Sequence, residues 1–356
     1  MTQITRMNTD LPEKSAHIRQ IRVISVLSDN MSTPLVSIFT LAYNHESFIG
    51  QCMDGIVMQQ TSFPFELLIH DDASTDATAD IIREYETRYP HIIKPIYQTE
   101  NQYDKDASYF EDFLLPKSQG KYIAICEGDD YWTDPLKLQK QIDFMETHPD
   151  YSICGGMYRI LIEDNHELRE NDWLASDMRK YPKGKIITLQ NFLKPYCLQF
   201  LTICFRKDDY LMLNDHQIEN SCDDTLYAML LEERNGFLFP DYFGVYRKHQ
   251  NGVWSGQTLE DQLLDNEYYY SEINQHFGKK SKLIRNRYFQ ICLDLRFIEL
   301  SKRKHIFTDF MKIVKFTFSG KITDILTFQI GYFLYKTRKS VIHVLKKTTR
   351  LKHHSI

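Results

Sequence analysis

The stretch Ala124–Leu138, AICEGDDYWTDPLKL, decides how the rest of the chain is read. An apolar run with the look of a buried strand stops at Glu127, Gly128, Asp129 and Asp130, and two aromatics follow. Three carboxylates in four residues repel one another. Two readings account for them. Adjacent carboxylates after a strand form a hard-oxygen site suited to Mg²⁺ or Mn²⁺, which would cancel the repulsion. Alternatively, the run is a solvated turn before a helix, with Asp134 as the cap and Pro135 at the first helical position. Glu127 has no role in either reading beyond shaping the turn.

Upstream, two more stretches share this form. PLVSIFTLAYN places a strand over Leu35–Leu41 that ends at Tyr43 and Asn44. FELLIH places another over Phe65–His70 that ends at Asp71 and Asp72. Phe48, Ile49, Cys52, Met53, Ile56 and Val57 fall at helical spacing between them. Ala77, Ile81, Ile82 and Tyr85 do the same after the second, with Pro90 as a stop. IIKPIYQ and KYIAIC read as further strands. Strands alternating with helices predict a parallel sheet covered on both faces. Ligands of such sheets bind beyond the carboxyl ends of the strands, where all three polar clusters fall. In the second cluster, DDASTDAT, the small polar residues equally suit a loop that makes its own turn and cap hydrogen bonds. No GxGxxG or phosphate-loop glycine pattern is present, which disfavours a dinucleotide fold.

Order, spacing and residue types of these motifs over Pro34–Tyr151 strongly resemble the family 2 glycosyltransferases, and more weakly up to Gly256. The resemblance implies the GT-A fold: a three-layer α/β/α sandwich around a mostly parallel sheet. It implies a nucleotide-sugar donor, usually a UDP-sugar, a divalent cation (Mn²⁺ or Mg²⁺) and inversion at the anomeric carbon. Carried over by position, Tyr43, next to Asn44, packs on the base and Asp72 hydrogen-bonds it. Asp130 faces the metal, and Asp129 contacts the ribose or the metal. Ala73 stands where the family usually has Gly, and Leu41 where a small polar residue is common. NSCDDTL resembles the base motif, an acidic residue three positions before a Leu at a helix start. On that register Asp223 is the base and Leu226 its anchor. Cys222 replaces the usual preceding residue, so Asp224 stays open as the base. VYRKHQNGVWS resembles the segment that closes the donor site. His249 is there a third metal ligand, a diphosphate contact or a plain loop histidine, Arg247 and Lys248 are phosphate contacts, and Trp254 packs over the donor or acceptor. Lys105 is a further candidate contact to the diphosphate.

Composition sets the outer bounds. Hydrophobic residues make up 42% and charged residues 26% of the 356, which suits a folded chain. The net charge of −5 hides an asymmetry. From Ser301 onward, 13 Lys and Arg face two acidic residues, a local balance of +11, leaving −16 for the rest. Seven scattered cysteines without a CxxC pair argue against a disulfide or thiolate-metal framework and fit a reducing cytosol. The N-terminus lacks the apolar core of a secretory signal. No stretch reaches the ~18 apolar residues of a membrane span. We therefore expect a polar extension over 1–33, a catalytic domain over 34–256 and a helical, basic region over 257–356. In that last region, Leu283, Tyr288, Ile291, Leu295 and Ile298 form one apolar stripe. The segment 322–335, flanked by Lys and Arg, suits a helix lying on an anionic membrane surface or a helix packed on the catalytic domain.

The expected function is an inverting transferase of cell-surface polysaccharide synthesis. It would be cytoplasmic, at the inner face of the plasma membrane, with a glycan or lipid-linked oligosaccharide acceptor. The competing readings are a nucleotidyltransferase, for which the glycine- and lysine-rich phosphate loop is missing, and a silent glycan-binding or scaffold subunit. No nucleic-acid module is visible, so nucleic acid is not an expected partner.

Overall fold

The computed structural model describes residues 33–105, 108–194, 196–212 and 222–301. Residues 1–32 and the basic stretch 302–356, with its expected surface helix, lie outside the described residues.

The elements run β1 (Val36–Ala42), α1 (Ile49–Val57), β2 (Phe65–Asp71), α2 (Thr78–Arg88), β3 (Ile93–Tyr97), β4 (Tyr122–Ile125) and β5 (Tyr131–Trp132). They continue with α3 (Lys137–Thr147), β6 (Tyr151–Ile162), β7 (Glu167–Glu170), α4 (Asp172–Met178), β8 (Lys185–Ile187), β9 (Cys204–Arg206) and α5 (Lys207–Met212). The last four are α6 (Asp223–Leu230), β10 (Asn235–Lys248), α7 (Leu259–Phe277) and α8 (Lys282–Ser301). One sheet holds them together in the order β3-β2-β1-β4-β9-β6-β10-β5, with β7 on β6 and β8 on β10. β3, β2, β1 and β4 are parallel, as the alternating pattern predicts. Beyond β4 the sheet is mixed: β9 runs antiparallel to both β4 and β6, while β6 and β10 pair in parallel.

Side-chain alternation divides the core between two faces. On one face Val36, Ile38, Leu67, Ile69 and Ala124 meet Met53 and Ile56 of α1 and Leu138 and Ile142 of α3. On the other, Phe39, Leu68, Ile123 and Ile125 join Leu174 of α4, Tyr227 of α6 and Tyr270 of α7. The stripe expected on the last helix forms there: Tyr288, Ile291, Leu295 and Ile298 of α8 pack into this same cluster. Helices α7 and α8 therefore share the core of the sheet. Among the described residues no helix is long and apolar enough to cross a membrane.

Helix α3 starts later than DPLKL suggests. Its first residue is Lys137, not Pro135. The Asp134 and Pro135 carbonyls accept from the Gln59 side chain and the Gln60 N–H, both at 2.8 Å, which pins this turn to the end of α1 instead. Asp134 still accepts the Leu136 N–H at 2.9 Å and pairs with Lys140.

Lys137 itself is fully buried. Its ammonium donates to Gln141 at 2.7 Å and sits 4.0 Å from the centroid of the Trp132 ring. Burial, against the pull of nearby thiols, lowers this lysine to about 8. The unfolded chain keeps the ordinary 10.5 and so binds the extra proton between about pH 8 and 10.5, and stability rises with pH across that window. We expect Lys137→Met to abolish this rise in urea denaturation and to stabilise the protein at pH 7 by about 2 kcal/mol. A slope left unchanged by the substitution would refute the buried ammonium.

Candidate functional site

Strands β1, β2 and β4 run in register, so their carboxyl ends share one edge. Two loops at that edge are sewn together. The Asn44 N–H donates to Ser74 Oγ at 2.9 Å, and Asn44 Oδ1 accepts the Thr75 N–H at 2.8 Å. The Glu46 N–H donates to Asp76, and the Ala77 N–H donates back to Glu46, both at 3.0 Å. Most of the small polar residues of DASTDAT thus brace the loops. This stitching leaves Tyr43, 44% exposed, as an open aromatic face.

Asp72 is nearly buried and already engaged. One oxygen accepts the Gln102 N–H at 2.8 Å; the other accepts the Tyr103 N–H at 3.3 Å and the Tyr109 hydroxyl at 3.0 Å. A carboxylate has about four lone-pair sites, so one remains for a ligand. Ala73 has φ +58°, a left-handed conformation in which glycine is the unstrained residue. The departure from glycine noted in the sequence is thus a real backbone cost. Lys105, the candidate diphosphate contact, forms its ion pair with Glu100 at 2.6 Å.

The acidic turn lies at the end of β4. Gly128 is dictated by space: a Cβ there would come within 2.7 Å of His45 Nδ1 and 2.8 Å of the Leu41 carbonyl. His45 was not anticipated from sequence, although it directly follows the AYN signal. Asp130 is 1% exposed. Its Oδ1 accepts the Arg247 N–H at 2.7 Å, and among the described residues Oδ2 is buried with no partner. Burial, then the charges of Asp129 and Glu127, push Asp130 well above the usual carboxylate range. Glu127 is raised likewise by burial, Asp129 and Asp223. Asp129 behaves differently. Burial raises it, but the hydrogen bond with His249 and the charge of His45 outweigh burial and leave it low. Asp129 Oδ2 lies 3.0 Å from His249 Nε2.

Arg247 departs from the expected phosphate contact. Its guanidinium donates to the Asp129 carbonyl at 2.7 Å, to Gln51 at 2.6 Å and to Glu163. It is also flanked by the rings of Phe48 and Tyr131 at 4.7 and 5.2 Å. The arginine is spent inside the fold because β10 brings it behind the turn, a pairing that local sequence does not reveal. Neighbouring Lys248 is half-buried, and burial lowers it. Trp254 is 42% exposed.

The site is closed by α6. Asp223 and Asp224 open the helix after Cys222. Asp224 accepts the Tyr270 hydroxyl at 2.6 Å and so ties α6 to α7. Asp223 makes no side-chain hydrogen bond among the described residues, and burial followed by the charge of Asp224 pushes it up to about 7. It stands close enough to Glu127 to raise that residue as well. The structure therefore brings Asp129, Asp130, His249 and Asp223 into one neighbourhood and gives Asp224 an architectural partner.

Among the described residues, no cage of three or more His, Cys, Asp or Glu ligands converges. The orphaned Asp130 oxygen fits a hard cation held by one or two carboxylates and completed by substrate oxygens, as is usual for Mg²⁺.

Relief of the Ala73 strain is measurable. We expect Ala73→Gly to stabilise the protein by about 0.5–1 kcal/mol in thermal or urea unfolding. A loss of stability would contradict the left-handed conformation.

Comparison with known proteins agrees with this architecture. The Glycosyl transferase family 2 profile matches residues 37–210. Uncharacterized protein Rv1520 of Mycobacterium tuberculosis is 34% identical over 221 residues, 62% of this chain and 60% of that protein. The chain thus spans 60% of the length of this curated relative. WfaP of Escherichia coli, a UDP-Glc:alpha-D-GlcNAc-diphosphoundecaprenol beta-1,3-glucosyltransferase, is 38% identical over 124 residues, 35% of this chain and 46% of WfaP. Residues 1–349 of S. aureus TarS, crystallised with UDP-GlcNAc, superpose with a TM-score of 0.51 at 20% identity, covering 67% of this chain and 66% of that one. At that identity the superposition speaks for the fold, which is of the GT-A type. Residues 37–210, which contain the acidic turn and the bracing loops, form a family 2 glycosyltransferase domain.

Proposed function

We propose that this protein transfers a sugar, with inversion, from a UDP-sugar to a glycan or lipid-linked oligosaccharide in cell-surface polysaccharide synthesis. The observation that carries the reading is the pairing of two carboxylates in one site. Asp130 keeps a buried oxygen free, and Asp223, held near neutrality, keeps its whole carboxyl free of side-chain partners among the described residues. The donor and acceptor named for WfaP support the choice of substrates.

In this reading the open ring of Tyr43 packs on the base, and Asp72 uses its remaining acceptor site for a base N–H. Asn44 holds the loop that carries Tyr43. Asp130 and Asp129 hold Mn²⁺ or Mg²⁺, with His249 as a direct ligand or, through Asp129, as a support. The cation, when bound, supplies neutralisation of the diphosphate leaving group. Asp223 takes the proton of the acceptor hydroxyl as that oxygen attacks the anomeric carbon. A base with a pKa near the working pH combines ionisation with proton affinity. Asp224 raises that pKa through its charge while its own oxygen is held by Tyr270. We assign the catalytic work to 34–256 and peripheral attachment at the anionic inner membrane face to the basic end.

Two measurements test the proposal. UDP release from a panel of UDP-sugars should need Mn²⁺ or Mg²⁺ and fall by about 10²–10⁴-fold in Asp223→Asn and in Asp130→Ala. Full turnover in either variant removes that residue from its role. Since Asp223 acts ionised, kcat/KM should rise with pH through about 7. That acidic limb should vanish in the residual activity of Asp223→Asn, and its persistence would assign the base elsewhere.

A further inference from the structure

The bonds of Arg247 reach past its own strand. Three donor groups of one buried side chain end on three separate elements: the Asp129 carbonyl in the acidic turn, Gln51 on α1 and Glu163 at the end of β6. The main-chain N–H of the same residue holds Asp130 Oδ1. The guanidinium is 4.7 Å from the ring of Phe48, whose centroid in turn lies 4.7 Å from that of His249, the partner of Asp129. Side chain and main chain of one residue thus control both members of the aspartate pair. Among the described residues, Asp130 is left with a single oxygen lacking a partner.

We infer that Arg247, anchored from behind by Glu163 and Gln51, is a positioning residue: it orients Asp129 and Asp130 toward a divalent cation and does not touch the donor. This inference rests on the proposed metal site and deepens it. The physical reasons are two. A guanidinium has five donors in a fixed planar fork, so bonds to three elements fix its plane and, with it, the turn it grips. Its main-chain N–H also fixes Asp130 Oδ1 at 2.7 Å, so both aspartates are held by one anchored residue. Glu163 is needed because an unanchored arginine beside a diphosphate site would turn toward the phosphates. An ion pair at its back, with Gln51 beside it, withholds it. Groups that orient ligating carboxylates commonly contribute about 10–100-fold to metal affinity.

The experiment separates positioning from phosphate binding. Mn²⁺ alone is titrated into the full-length protein and followed by the paramagnetic resonance of free Mn²⁺, and UDP is titrated without metal by calorimetry. Glu163→Gln, which leaves the turn's own atoms intact, and Arg247→Lys, which keeps the charge but loses the fork, should each weaken Mn²⁺ binding by about tenfold or more. Metal-free UDP affinity should stay unchanged in both. Circular dichroism and thermal unfolding select conditions in which both variants are folded, and Gln51→Leu provides a third, milder lesion expected to act in the same direction. If both variants bind Mn²⁺ as the unaltered protein does, the inference is overturned while the proposed function stands. If metal-free UDP affinity falls in Arg247→Lys, the arginine is a phosphate contact and the inference is likewise overturned. If the unaltered protein binds no Mn²⁺, the metal site itself is refuted, and the inference with it.

Discussion

Burying like charges at the end of a strand is the constraint around which this protein is organised. Glu127, Asp129 and Asp130 close β4 within four residues, and Asp130 is almost completely removed from water. An isolated buried carboxylate is costly unless it is neutralised or paired. The fold meets that cost from three directions. β10 supplies the N–H and guanidinium of Arg247, the loop after β10 supplies His249, and the loop after β1 supplies His45. Even so, among the described residues one oxygen of Asp130 remains without a partner, and burial raises the carboxyl well above the usual range. An oxygen left open in this way fits the cation proposed for this site.

The same constraint explains local details that otherwise look arbitrary. Gly128 is required because His45 and the Leu41 carbonyl already fill the space its side chain would need. The mixed half of the sheet brings β10 next to β5, the short strand that follows the turn, so that Gly244 and Val245 pair with Trp132 and Tyr131 just before Arg247. Lys137 lies behind this pairing, its ammonium against Trp132. The second carboxylate system, at the start of α6, divides its labour. Asp224 is bonded to Tyr270 and joins the helical end to the core, while Asp223, with no side-chain partner among the described residues, has a pKa near neutrality.

Much of the parallel half was legible in the chain. Its strands are continuous apolar runs, its helices have clear spacing, and its polar clusters fall after the strands. The bounds of β1 and β2 differ from the expected ones by one residue. Asp71, Asp72, Asp129 and Asp130 stand out as carboxylates that follow strands, whereas Asp223 is singled out by the resemblance of its motif to that of the family. Two details differ from what the local pattern suggests. Helix α3 begins at Lys137 because Gln59 and Gln60 capture the carbonyls before it. Arg247 is spent on the turn, where a phosphate contact is expected. A cation in a sequence advertises charge but not which of several acidic partners it will reach.

The amino-acid sequence by itself determined the alternation of strands and helices, the edge at which polar residues gather and the residue types available for chemistry there. Those features follow from periodicity and from backbone preferences, which are local. The tertiary structure alone decided which carboxylates are shielded and which are free. Asp223 and Asp224 are adjacent and chemically identical, yet one meets Tyr270 from α7 and the other does not. Asp129 and Asp130 are adjacent as well, yet burial and partners move them in opposite directions. The reason is that desolvation and charge depend on what packs around a group, and those neighbours lie 46 to 120 residues away along the chain.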